Sequence, residues 1–118
     1  MRREELYLAD IVEATHAIGD FLLDVQEQDF AENDMLRSAV LLKLIVIGEA
    51  AAHLPEEFKN RHPEIEWGDI AAFRNIAVHE YFGIEWRIVW VTATRDVPKL
   101  KHEVEEILAS EYPDTHPS

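Results

Sequence analysis

Cysteine is absent from this chain, so neither a disulfide framework nor a thiolate metal site is open to it. A small domain without bridges fits the reducing cytoplasm. Basic residues are scarce. Eleven Lys and Arg stand against 24 Asp and Glu, a net charge of -13. That balance disfavours unspecific binding to nucleic acid or anionic lipid, so any RNA contact must use a local basic spot or a partner. No hydrophobic run is long enough to span a bilayer, because the most apolar stretch, Ala39 to Ile47, is short and interrupted by Lys43. No secretory signal is visible either, since Met1 to Glu5 leads straight into a charged amphipathic segment. With four glycines there is no phosphate-cradling loop, and neither His-Glu-x-x-His nor Gly-x-Ser-x-Gly occurs. The six histidines (16, 53, 62, 79, 102 and 116) form no metal-like pair at helical spacing, so neither a metal nor a cofactor is expected. Asn-Gly and Asp-Gly turns are missing, and no segment alternates with period two, which leaves no signal for strands.

What is there is helical periodicity. The 118 residues suffice for one domain with one core, expected over 1–111, followed by a loose tail at 112–118 with two prolines. Leu8, Ile11, Val12, Ile18, Phe21, Leu22 and Val25 recur at three-and-four spacing and predict a first helix from about Glu4 to Val25. Gln26 to Asn33 reads as a polar connection, with Asn33 as N-cap of a second helix over about Asp34 to Leu54. That helix is apolar almost all round, which suits a central position or a face shared with a second subunit. Pro55 opens a short turn of helix through about Arg61, and Arg61 to Glu66 is a loop. A third major helix begins near Trp67, and Gly83 is its expected stop, in the left-handed conformation. A last helical region from Ile84 to about Leu108 contains Pro98, where a kink or break is expected. The fold class is all-α: an up-and-down bundle of about four to six helices, expected to be dimeric.

Chemistry concentrates in Arg74-Asn75-Ile76-Ala77-Val78-His79-Glu80-Tyr81. An imidazole, with an unperturbed pKa of roughly 6.5, can take or give a proton near neutrality. A guanidinium stays charged and holds a phosphate through paired hydrogen bonds. RNA carries its own nucleophile in the 2′-hydroxyl, so a metal is not obligatory. On these two residues alone, the plainer reading is a surface arginine paired with an acid and a histidine at a helix end. Geometry adds a difficulty, because at about 100° per residue Arg74 and His79 point roughly 140° apart on one helix. Either the arginine wraps round, or the helix distorts near its end, or two subunits contribute to one cleft.

Arg74-Asn75-x3-His79-x-Tyr81 resembles the Arg-x4-His-x-Tyr motif of HepT-like toxins in the HEPN superfamily. Val46-Ile47-Gly48-Glu49-Ala50-Ala51, Glu57-Phe58, His62-Pro63-Glu64-Ile65, Trp67, Tyr81-Phe82-Gly83, Trp86, Val89-Trp90 and Asp96-x-Pro98-x-Leu100 are similar to that family in order and spacing. The resemblance implies an all-α homodimer acting as a metal-independent endoribonuclease, the toxin of a type VII-like toxin–antitoxin pair, with its cleft between protomers. It casts His79 as the proton-transfer residue, Arg74 as the phosphate-binding residue, and Asn75 as a supporting group. It makes Tyr81 the tyrosine that a cognate minimal nucleotidyltransferase antitoxin modifies with AMP. The alternative is a non-catalytic helical partner of the nucleotidyltransferase, offering Tyr81 as substrate, which the acidic composition favours.

Overall fold

The computed structural model describes residues 3–79 and 81–113, with side chains over 4–75 and 82–113. The described residues form helices α1 (Arg3–Phe21), α2 (Glu27–Glu32), α3 (Asp34–His53), α4 (Glu56–Arg61), α5 (Trp67–His79), α6 (Trp86–Val91) and α7 (Val97–Glu111). A 3-10 turn spans Tyr81–Gly83, and a π-helical turn, Thr92–Asp96, joins α6 to α7 without a loop. No strand occurs among the described residues, and none of their helices is long and apolar enough to cross a membrane. The all-α bundle expected from periodicity is what is found.

Helix α3 lies between α1 and α5, and α7 packs on the other side of α1. On α1 the buried stripe is Leu8, Ile11, Ala14 and Ile18, with Thr15 also inside because its hydroxyl donates to the Val12 carbonyl at 2.8 Å. On α3, Val40, Leu44, Ile47 and Ala51 are buried at the same three-and-four spacing. Its nearly all-round apolar character is thus largely spent on two neighbours, although Leu42 remains 57% exposed. The start of α3 is held as its sequence suggests, since the Asn33 side-chain oxygen accepts from the Leu36 backbone N–H at 3.0 Å.

Four local expectations are corrected. First, α1 stops at Phe21 rather than near Val25, and Asp24 takes a positive φ of 61° in the turn that follows. A short polar side chain tolerates that conformation. Second, the supposed connection 26–33 contains α2. The Gln26 N–H donates to the Asp29 carboxylate at 3.2 Å, and Phe30 drops into the core against Trp86 and Trp90. One buried anchor in six residues creates no period to detect. Third, Gly83 lies in a 3-10 turn and is not left-handed, as no described glycine has a positive φ. Fourth, Pro98 neither breaks the rod nor opens a loop. It sits at the start of α7, after a π turn in which the Val97 N–H bonds to the Thr92 carbonyl five residues back. The wider turn lets the backbone pass the missing proline donor.

The end of α7 is fastened to the far side of the bundle. Glu111 lies 2.9 Å from Arg61 and 2.8 Å from His62, and the His62 carbonyl accepts from the Trp67 indole at 3.0 Å. Phe58 fills the space beneath, with its ring 5.9 Å from that of Trp67. Burial of the Tyr112 phenol, with the negative Glu4 and Glu111 nearby, pushes its pKa above the ordinary value, so it stays protonated around neutrality. This clasp orients the loop that leads into α5.

Candidate active site at the end of α5

The position of α5 is decided by a small residue on α3. A Cβ at Gly48 would meet the Ile70 carbonyl oxygen at 3.0 Å, the Arg74 backbone N at 3.3 Å and the Ala71 carbonyl oxygen at 3.4 Å. The two helix backbones therefore approach as closely as they do only because position 48 lacks a side chain. The consequence is chemical. Arg74 is brought beside Glu49, the residue next to that glycine, and its Nη1 donates to the Glu49 Oε1 at 3.1 Å.

Glu49 in turn faces His53 one helical turn later. The His53 Nδ1 lies 3.6 Å from the Glu49 carboxylate and 2.8 Å from the Glu49 backbone carbonyl. Beyond it, the His53 ring stands 5.5 Å from that of Tyr7 on α1. A polar row thus runs from Arg74 across α3 to α1. It is open to water: the Arg74 side chain is 36% exposed and that of Glu49 51%. A guanidinium has five N–H donors and Glu49 engages one, so donors remain for an anion arriving from solvent.

Of the residues singled out in the sequence, Arg74 and Asn75 are adjacent on α5, with Asn75 exposed. His79 is the last described residue of α5, and its side chain lies outside the described residues, as do all of Glu80 and the Tyr81 side chain. The backbone carries His79 five positions beyond Arg74 on a single helix. Glu49 and His53 were given no role from sequence. Their signal was available, since an acid and a histidine four apart on one helix face each other. Arg74 does pair with an acid, as the plainer reading expects, but at a point set by a glycine contact rather than on a freely solvated face.

Residues 11–107 match the family described as Ribonuclease HepT-like. The chain belongs to that family, within the HEPN superfamily. Its relatives carry ribonuclease names at the candidate level. A Thermococcus cleftensis protein named for ribonuclease HepT is 38% identical over 106 residues, covering 90% of this chain and 96% of that protein. A Methanocaldococcus jannaschii protein, the candidate RNase MJ1380, is 36% identical over 104 residues, covering 88% and 95%. A third, the candidate RNase TTE0752 of Caldanaerobacter subterraneus subsp. tengcongensis, is 34% identical over 111 residues, covering 94% and 99%. No solved structure matches the chain. The HepT-like match contains the whole of α3 and α5, and therefore Gly48, Glu49, Arg74 and His79.

The Arg74–Glu49 pair is half in water, so its worth lies in orientation rather than stability. Glu49→Gln is expected to change unfolding free energy by less than about 1 kcal/mol, as measured by urea denaturation. A larger loss would mean that the pair is a structural tie.

Proposed function

We propose that this HepT-like chain is a metal-independent endoribonuclease and the toxin of a toxin–antitoxin pair, with Arg74 and His79 at its centre. The observation that carries the reading is the placement of Arg74. It is anchored by Glu49, keeps donors open to solvent, and stands on the same helix as His79 in a ribonuclease-family chain. In the reaction, His79 accepts the proton of an RNA 2′-hydroxyl as that oxygen attacks the adjacent phosphorus. The P–O5′ bond breaks, the 5′-oxygen takes up a proton, and the products are a 2′,3′-cyclic phosphate and a 5′-hydroxyl end. Arg74 offsets the charge that builds on the phosphoryl oxygens, which is the service a metal performs elsewhere. Asn75, exposed beside it, supplies an amide for the phosphate or ribose.

The roughly 140° between Arg74 and His79 is resolved if two protomers face each other across the end of α5, so that one cleft draws on both copies. An apolar surface supports such a homodimer. A shallow groove of about 180 Å³ is lined by Leu41, Phe73, Ile84 and Ile88, and the Ile88 and Leu42 side chains are more than half exposed. Tyr81 lies two residues beyond His79, so AMP attached there by a nucleotidyltransferase antitoxin would bring phosphate charge toward Arg74 and exclude RNA.

A second reading has its own support. The net charge of -13 opposes a polyanion, as expected of a helical partner that is modified by the nucleotidyltransferase but cuts nothing. An assay of RNA cleavage in excess EDTA separates the two. Cleavage that leaves cyclic phosphate ends and falls about 10²–10³-fold in Arg74→Ala supports the nuclease. No cleavage by the unmodified wild-type protein under any condition supports the binding partner.

A further inference from the structure

A second recess adjoins the first, with Leu44 and Phe73 lining both. Helix α5 leans on α3, while α7 leans on α1, and the gap between them is a cavity of about 240 Å³. Its floor is apolar, formed by Leu44 and Ile47 of α3, Ile70 and Phe73 of α5, and Leu100 of α7. Its rim is acidic: Glu64, Glu66, Asp69, Asp96 and Glu103 surround it, with Lys99 as the one base among the described residues. Of these carboxylates Glu64 has the His62 imidazole 3.6 Å away, whereas Glu66, Asp69, Asp96 and Glu103 have no Lys, Arg or His nitrogen within 4 Å among the described residues. The π-helical turn contributes Thr92 and Asp96 to the same wall. Wide turns of this kind frequently mark functional positions.

We infer that this groove is a docking site for a short cationic amphipathic segment of a partner protein, one whose large apolar side chain enters the pocket while Lys or Arg residues meet the rim. Charge selects this occupant. A second copy of the chain, at -13, and an RNA backbone would each bring negative charge to a ring that already lacks counter-charge. Size selects it too, because 240 Å³ falls below the roughly 300–1,000 Å³ of small-molecule pockets but suits one or two side chains. From Asp96 to Glu103 the rim runs about 10 Å along the helix axis, so the bound segment needs only two helical turns or so. The occupant would rest on Ile70 and Phe73, and Ile70 stands one helical turn before Arg74, which meets Glu49. The inference stands whether or not the chain cleaves RNA.

The test uses the full-length protein and a fluorescein-labelled twelve-residue peptide with Leu and Phe at helical spacing among lysines, followed by anisotropy. The wild-type protein should bind it, and the charge-reversed variant Glu66→Lys/Asp69→Lys/Glu103→Lys should weaken binding by about tenfold or more. A second triple variant, Glu13→Lys/Glu27→Lys/Glu57→Lys, changes net charge equally but away from the groove, and should stay within about twofold of wild type. A peptide with Leu and Phe replaced by Ser should lose binding as well. Equal weakening in both triple variants, full retention of the Ser peptide, or no wild-type binding at millimolar peptide would each overturn the assignment. Circular dichroism of both variants establishes that helicity is unchanged.

Discussion

His79→Ala should lower the rate of RNA cleavage by about 10²–10⁴-fold while leaving helicity and thermal unfolding close to wild type. The size follows from the role: a positioned proton acceptor contributes that range, and no other group is asked to take the 2′-hydroxyl proton. His79 is the last described residue of α5, and a thermal melt beside wild type checks that the loss of rate is not a loss of fold. His53→Ala is the informative companion. His53 is the histidine held beside Glu49 and Arg74, 3.6 Å from the carboxylate, and its ring leans on Tyr7. If His79 transfers the proton, removing His53 should cost little in rate, and the pH–rate profile should keep its limb near neutrality. If His53→Ala abolishes cleavage and His79→Ala does not, the proton-transfer role belongs on α3, and the row from Tyr7 to Arg74 becomes the catalytic centre. Burst kinetics with a single-turnover substrate would keep product release from masking either result.

Sequence periodicity revealed α1 and α3 because each buries a stripe several turns long, and a stripe needs length to be seen. Helix α2 has one buried side chain, Phe30, whose partners Trp86 and Trp90 lie more than fifty residues away, so no local pattern announces it. Pro98 signalled a disturbance correctly, yet its form depended on how the backbone could regain a hydrogen bond, and the Val97–Thr92 bond is the outcome of packing on both sides. The motif at Arg74 was legible as residue types. Its setting was not, because what holds Arg74 is an acid 25 positions earlier, brought near by a helix crossing. The acidic groove was equally hidden. Its carboxylates come from the loop before α5, from α5 itself, from the π turn and from α7, and each looks like an ordinary solvated acid until the four segments converge.

The helix crossing itself yields the second large effect. Gly48→Val should destabilise the protein by about 1–3 kcal/mol and lower Tm by roughly 5–15 °C. Intrinsic helix preference runs the other way, since valine is a better helix former than glycine by a few tenths of a kcal/mol, so the loss must come from the crossing. The atoms in the way are backbone: the Ile70 carbonyl oxygen at 3.0 Å and the Arg74 N at 3.3 Å, neither of which can rotate aside like a side chain. Relief requires α5 to move as a body, and Arg74 moves with it, so the 3.1 Å contact to Glu49 lengthens. Cleavage should therefore fall in Gly48→Val even at temperatures where the variant is fully folded, because a misplacement of about 1 Å can cost 10²-fold in rate. Gly48→Ala separates the two consequences. One methyl needs only a few tenths of an ångström of adjustment, and about 1 kcal/mol of helix propensity offsets the strain, so stability should stay near wild type. If Gly48→Val proves as stable and as active as wild type, the close crossing does not set the position of Arg74, and Glu49 alone must hold it.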